Sequence, residues 1–511
     1  MNSASVGSAA ASTNSRDRAD SRGEAISPRR CAAGRRSGLV VPKKAGNRAH
    51  RDPPEERGPP RHETHRRETR EGTLGPANLS TKRRWIAELA REDPHRVFTS
   101  LHHLIDLEWM AEAWRLTRKD GAPGIDGKTA ADYEADLEAN LIDLLERIKS
   151  GRYAAPPVRR HYIPKADGTK RPLGIPTLED KVAQRAILLL LEPIYETDFL
   201  SCSYGFRPGR SAHDALRELR NGFMDVGRGL RWVVDVDISK YFDSIDHGHL
   251  RTFLDQRVTD GVVRRMIDKW LKAGVLEAGA LRRTTSGTPQ GGVISPLLAN
   301  VYLHHVLDRW FVEDAEPRLK GHCLLVRYAD DAVAAFEDFL SAKRFLAVLG
   351  RRLGRYGLTL HPTKTRLVDF RMKRPPGDHP ETSGTTFDFL GFTHVWGQSL
   401  KGKTVVRQVT AKDRYRRTLA AITDWCRANL HRPFREQHAH LARAIHGHCA
   451  YYGIGGNTKR IRWYHHQVQR IWRKWLRRRG RHSKLSWPRF RAMLARHPLP
   501  RPRIVHRYAV P

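Results

Sequence analysis

Tyr328-Ala329-Asp330-Asp331 interrupts an apolar run, with Leu324-Leu325-Val326-Arg327 before it and Ala332-Val333-Ala334-Ala335-Phe336 after it. The run reads as two strands joined by an acidic turn, which constrains the fold more than any other feature of the chain. Burying two adjacent carboxylates is costly unless positive groups or a cation meet them. No basic residue follows closely enough to be the evident partner, so a divalent metal is the natural candidate. A second acidic strand, Trp232-Val233-Val234-Asp235-Val236-Asp237-Ile238, lies upstream. Alternation there puts Val234 and Val236 on one face and Asp235 and Asp237 on the other. Two such strands could hold a pair of Mg²⁺ ions about 3.5–4 Å apart, the geometry of nucleotidyl transfer. The plainer alternative is a surface hairpin with solvated acids.

Charge narrows the partner. Over 511 residues, 92 Lys and Arg face 55 Asp and Glu, a net charge of +37 that points to a polyanion. A membrane surface is the other polyanion, but the longest apolar stretch, Ala186 to Leu191, is far short of a span of about 18–20 residues. A nucleic acid is therefore expected, in the cytoplasm. Cys31, Cys202, Cys323, Cys426 and Cys449 are scattered with no CxxC pair, which suggests neither a zinc ribbon nor a disulfide framework. His438, His440, His446 and His448 read as a polar, RNA-facing helix rather than a metal site.

Three regions are expected. Residues 1–80, rich in Ser, Ala, Gly, Pro and Arg, form a disordered basic extension, and Glu24, Glu55 and Glu56 argue against a transit peptide. Residues 81–410 are globular. They carry helical stretches at Trp85–Leu89 and Val97–Trp114, a hairpin from Tyr162 to Leu173, a helix opened by Thr177 and Asp180, and another at His213–Leu219. Residues 411–511 read as long basic helices, and beyond Glu436 there are 18 Lys or Arg and no acid. There Trp463, Trp472, Trp475 and Trp487 interleave with Arg470, Arg473, Lys474, Arg477, Arg478 and Arg479, a pattern suited to phosphate contact and base stacking. The tryptophans read equally well as core anchors, with only the charges facing RNA. Arg207 and Arg210, in a turn-rich basic element, are candidates to grip phosphate, a solvated loop being the alternative. The Gly-rich segment at 287–296 reads as a template or nucleotide contact, its glycines admitting a close strand.

Taken in order, GAPGIDG, IPKADGTKRPLGIPT, SYGFRPGRSAHDAL, DVDISKYFDSIDH, GTPQGGVISPLLANVYL, RYADD and FDFLGF resemble the boxes of bacterial group II intron-encoded reverse transcriptases, the maturases. The resemblance spans about residues 85–511. It implies an α+β right-hand polymerase, with fingers and an antiparallel-sheet palm at 81–410 and an all-α thumb and maturase domain at 411–511. By the same resemblance Asp237, Asp330 and Asp331 are the catalytic carboxylates, with the Ile238 carbonyl as a further metal ligand and Mg²⁺ as cofactor. Lys165 and Arg171 would hold the incoming dNTP, Phe242 would exclude a 2′-OH, Gln290 would line the nascent pair, and Lys364 would assist the leaving pyrophosphate. Leu390 and Gly391 fall at the primer grip. The implied partners are intron RNA, a DNA target or primer and dNTPs, with no membrane; the implied lineage is the endonuclease-lacking one. His448 stands where the family usually has Trp. Two other expectations compete: a splicing maturase with an idle polymerase, and a domesticated relative serving phage defence or spacer acquisition.

Overall fold

The computed structural model describes residues 79–508 apart from 165–167, 169, 278–279, 283–286, 289–290, 374–378, 380–381, 400 and 481–484. Nearly all of the expected basic extension, together with Lys165 and Gln290, lies outside the described residues. Helix α1 (Leu79–Glu92) ends under the buried guanidinium of Arg257, which donates to the carbonyls of Ala90, Asp93, Pro94 and Arg96. That one side chain satisfies acceptors that a helix C-terminus leaves open. The helix expected over Val97–Trp114 is shorter. The Asp260 carboxylate accepts from the backbone N–H of Leu101 and His102 and draws this segment into a 3₁₀ turn at His102–Leu104. Helix α2 (Leu107–Leu116) begins only after Asp106, whose side chain caps Trp109 N.

Short helix α3 (Ala130–Glu134) and α4 (Leu137–Lys149) lead to the hairpin of β1 (Val158–Pro164) and β2 (Lys170–Ile175), which sets Ile163 opposite Arg171. Thr177 caps α5 (Leu178–Asp198) by accepting from Asp180 N. The expected reciprocal half of that cap is spent elsewhere: the buried Asp180 carboxylate accepts from Tyr153, Trp270 and Gln184. Helix α6 (Ala212–Met224) opens on a full capping box between Ser211 and Asp214.

The chain then builds its central sheet and the helices under it: β3 (Trp232–Val236), α7 (Tyr241–Ser244), α8 (His247–Asp255), α9 (Gly261–Lys272), β4 (Val275–Glu277), β5 (Ala280–Arg282) and α10 (Ser295–Leu303). Helix α10 runs on into two π-helical stretches, His304–Asp308 and Phe311–Ala315. Next come β6 (Cys323–Tyr328), β7 (Asp331–Phe336), α11 (Phe339–Gly354), β8 (Arg366–Asp369), β9 (Phe387–Phe389), β10 (Phe392–Gln398) and β11 (Thr404–Thr410). The central sheet has the order β6-β7-β3-β8 and is antiparallel throughout. One face, with Val234, Val236, Leu325 and Ala334, belongs to the largest core; the other, with Val233, Val326, Val333 and Val368, belongs to a second core shared with α6 and β9–β11. Burial on both faces is why these strands read as continuous apolar runs.

Helices α12 (Lys412–Ala428), α13 (Phe434–Tyr452), α14 (Thr458–Leu476) and α15 (Trp487–Arg496) follow and enclose a third core, around Leu441, Tyr464 and Trp472. Past α15 the chain returns. His506 bridges Ile454 and stacks on His213 of α6 with ring centroids 3.6 Å apart, and Tyr508 bonds Gln408 of β11. The molecule is thus a mixed α and β structure with an antiparallel central sheet and a helical C-terminal region. Among the described residues no helix is long and apolar enough to cross a membrane.

Candidate active site

Asp330 lies in the two-residue turn between β6 and β7, and Asp331 begins β7. The last pair of the β3–β7 ladder is Val236 with Ala332. Asp237 and Asp331 each adjoin that last pair, one on either side of the ladder. Asp237 is held by its backbone: its N–H donates to Thr365 Oγ1 at 3.2 Å, and its carbonyl accepts from His361 N at 2.8 Å. Ile238, one residue on, bridges Leu360. The adjacent Asp235 is a different kind of acid. Arg366 meets it at 3.2 Å, while burial raises its carboxyl to about 6.

The three remaining carboxylates share one electrostatic environment. Burial raises Asp330 above the usual carboxylate range and Asp237 pushes it further, while Arg171 and Arg327 pull it back. Asp331 is exposed at the end of its strand, yet loss of solvent around the carboxyl, and after it the charges of Asp330, Asp237 and Asp235, raise it to about 6. Carboxylates that hinder one another's ionisation constitute an unmet demand for positive charge. Lys364 answers part of it, with Nζ 3.4 Å from Asp237 Oδ2. Among the described residues no group of three or more His, Cys, Asp or Glu side chains is placed to hold a metal ion. The carboxylate oxygens are donors of the kind that hard divalent cations take.

The other described residues singled out from sequence are fixed by contacts of their own. Phe242 lies half-buried on α7, where its carbonyl accepts from Thr288 N at 2.8 Å. Gly287 and Gly291 take positive φ and come so close to their neighbours that a Cβ at Gly291 would sit 2.3 Å from Gly174 O of β2. Gln184 of α5, which sequence reasoning missed, accepts from Val293 N at 2.6 Å and ties the same loop to the core. Leu390 and Gly391 form the left-handed turn between β9 and β10, and Tyr451 of α13 donates to Leu390 O at 2.9 Å.

Other expectations are corrected. Arg207 is buried and spent on the Glu196 carboxylate and the carbonyls of Leu200 and Ser203, so it has no free donor edge for phosphate. Arg210 is half-buried over the Tyr204 ring and donates to Ser201 O. His448 does not face outward; it is buried against Tyr464, with ring centroids 3.7 Å apart. Trp472 is a core anchor bonded to Gln437, whereas Trp463 is half exposed. On α14 and the turn that follows it, Arg470, Lys474, Arg477 and Arg478 are exposed along a groove of about 610 Å³, where Arg473 lies 4.3 Å over the Trp487 ring.

Sequence reasoning also missed Arg327, counted there as one residue of an apolar run. It is fully buried and pairs bidentately with the equally buried Asp308 at 2.7 and 2.5 Å. Removing either partner would strand a buried charge, at a cost of about 3–5 kcal/mol. No spacing in the sequence announces a partner 19 positions upstream in a π-helical stretch.

The family model described as reverse transcriptase (RNA-dependent DNA polymerase) matches residues 163–394. Protein YkfC of Escherichia coli is 39% identical over 286 residues, which cover 50% of this chain and 75% of that protein. The group II intron-encoded protein LtrA of Lactococcus lactis is 40% identical over 234 residues, 45% of this chain and 38% of LtrA. The mitochondrial nuclear intron maturase 1 of Arabidopsis thaliana is 35% identical over 97 residues, 19% of this chain and 13% of that protein.

Proposed function

The chain belongs to the reverse transcriptase family, among the group II intron-encoded proteins and maturases, and from that premise we propose that it copies intron RNA into DNA and assists splicing of that RNA. The observation that carries the polymerase reading is the convergence of Asp237, Asp330 and Asp331 within one field that Arg171 also enters. The hairpin of β1 and β2 acts as fingers, the central sheet as palm, and α12–α15 as thumb and maturase region.

Mg²⁺, held by the three carboxylates and the Ile238 carbonyl, would supply activation of the primer 3′-OH and stabilisation of the leaving pyrophosphate. Arg171, with Lys165, grips the triphosphate, the guanidinium forking onto its oxygens. Phe242 excludes the 2′-OH of a ribonucleotide. Gln290 lines the nascent pair, the turn at Leu390 and Gly391 supports the primer, and Lys364, exposed beside Asp237, assists the leaving pyrophosphate. The groove of Arg470, Arg473, Lys474, Arg477 and Arg478 holds RNA. The protein works in the bacterial cytoplasm as a nucleoid-associated ribonucleoprotein with intron RNA, drawing on a DNA primer and dNTPs.

Asp330→Ala is expected to abolish extension of a DNA primer on an RNA template while leaving RNA binding intact. Extension at the wild-type rate would remove the carboxylate assignment. Splicing measured on the same variant separates the two roles: retained splicing with lost cDNA synthesis means separate sites.

A further inference from the structure

The Arg327 guanidinium has five N–H donors, and each has an acceptor. Nε and one Nη2 hydrogen go to Asp308, the other Nη2 hydrogen to Ser203 Oγ at 2.7 Å, and the two on Nη1 to Asn300 Oδ1 and Ala329 O, both at 3.0 Å. Its backbone is fastened as well: Arg327 N donates to Cys202 O and Tyr204 N donates to Arg327 O, both at 2.8 Å. Ala329 is the residue immediately before Asp330, and its φ of 58° places it in the left-handed region that alanine rarely adopts. Asn300 closes the circuit, since its Nδ2 donates to Gly205 O at 2.7 Å and Gly205 lies against the same turn, with space for a Cβ only 2.4 Å from Ala329 N.

An apolar pair of similar volume would hold a core at least as well as a buried ion pair. What hydrocarbon cannot do is draw a carbonyl into a fixed place. We propose that Arg327, locked on Asp308 and Asn300, is a positioning residue that holds the Ala329 peptide in its left-handed conformation and thereby aims Asp330 and Asp331 at the reacting phosphate. The proposal rests on the reading of those carboxylates as the catalytic ones.

The test uses the full-length protein, with single-nucleotide extension on an RNA template and Mn²⁺ binding followed by electron paramagnetic resonance. Arg327→Lys keeps the charge but not the planar fork, and Asn300→Ala leaves the ion pair intact while releasing the turn from its support. The maximal rate is expected to fall at least tenfold in Arg327→Lys and several-fold in Asn300→Ala. The KM for dNTP should stay within twofold, and Mn²⁺ affinity should weaken several-fold in both. If Arg327→Lys does not fold, Asn300→Ala decides alone. Wild-type rate and Mn²⁺ binding in folded Asn300→Ala overturn the proposal, as does a loss confined to the dNTP KM. Asp330→Ala run alongside separates the failures. An active Asp330→Ala means the carboxylate reading itself is wrong; an inactive one beside a fully active Asn300→Ala sinks only the positioning role.

Discussion

The acids at the centre were legible because charge inside an apolar strand has few explanations: Asp237, Asp330 and Asp331 stand out against Val234, Val236, Val326 and Val333. Arg207 was misread for the converse reason. An arginine in a turn-rich loop looks solvated until Glu196 closes on it, and local sequence carries no trace of a partner chosen by tertiary packing. Phe242 shows what a single residue adds to the acids. Its ring lies half-buried on α7, and the loop before α10 is hydrogen-bonded beside it through Gly287 N and Thr288 N, so it has little room to retreat from a bulkier sugar. Phe242→Ala should therefore raise incorporation of ribonucleotides relative to deoxyribonucleotides by roughly 10- to 100-fold, the range that opening a pocket by one side chain allows. Competing dNTP and rNTP extension measures that ratio, and an unchanged ratio would remove Phe242 from the sugar pocket.

At the scale of elements, the expected hairpin and helix start are present: β1 and β2 pair antiparallel, and α5 begins behind Thr177, which caps it from one side only. The stretch from Val97 to Leu104 is not the expected helix, because the Asp260 carboxylate, remote in sequence, competes for the N–H groups that a helix would have used. Helix α14 and its C-cap divide their residues: Ile461, Tyr464, Val468 and Trp472 face the third core, while Arg470, Lys474 and the capping Arg477 face solvent. Replacing those three charges together with Ala should spare the fold but weaken RNA binding. Each phosphate that no longer meets a cation lowers the salt slope by about 0.7–0.9, so the slope of log affinity against log salt should fall by roughly 2–3. Filter binding across a salt series tests this, and an unchanged slope would place the RNA elsewhere.

At the scale of the molecule, several histidines are folded away from protons. Burial lowers His304, His305 and His394 to about 3 and His448 to about 4. Their pKa values are depressed relative to the unfolded chain, so their contribution to stability is complete above about pH 6.5 and is lost as pH falls towards those values. Each should cost roughly 1–1.5 kcal/mol by pH 5.5. Asp180, Asp235 and Asp331, raised to about 6, act in the opposite direction, because the folded state holds their protons more tightly and gains as pH falls through 6. Four histidines outweigh these three acids over that interval, so the melting temperature should drop between pH 7.5 and 5.5; a flat or rising profile in calorimetry would contradict this balance. The returning segment at His506 and Tyr508 has a mechanical meaning. The run of helices from α12 to α15 leaves the β11 strand at Ala411 and is tied back, by that segment, to α6 and to β11 itself. Like a handle riveted at both ends, it resists swivelling about either junction alone, and any change in its tilt requires bending the handle or pulling a rivet.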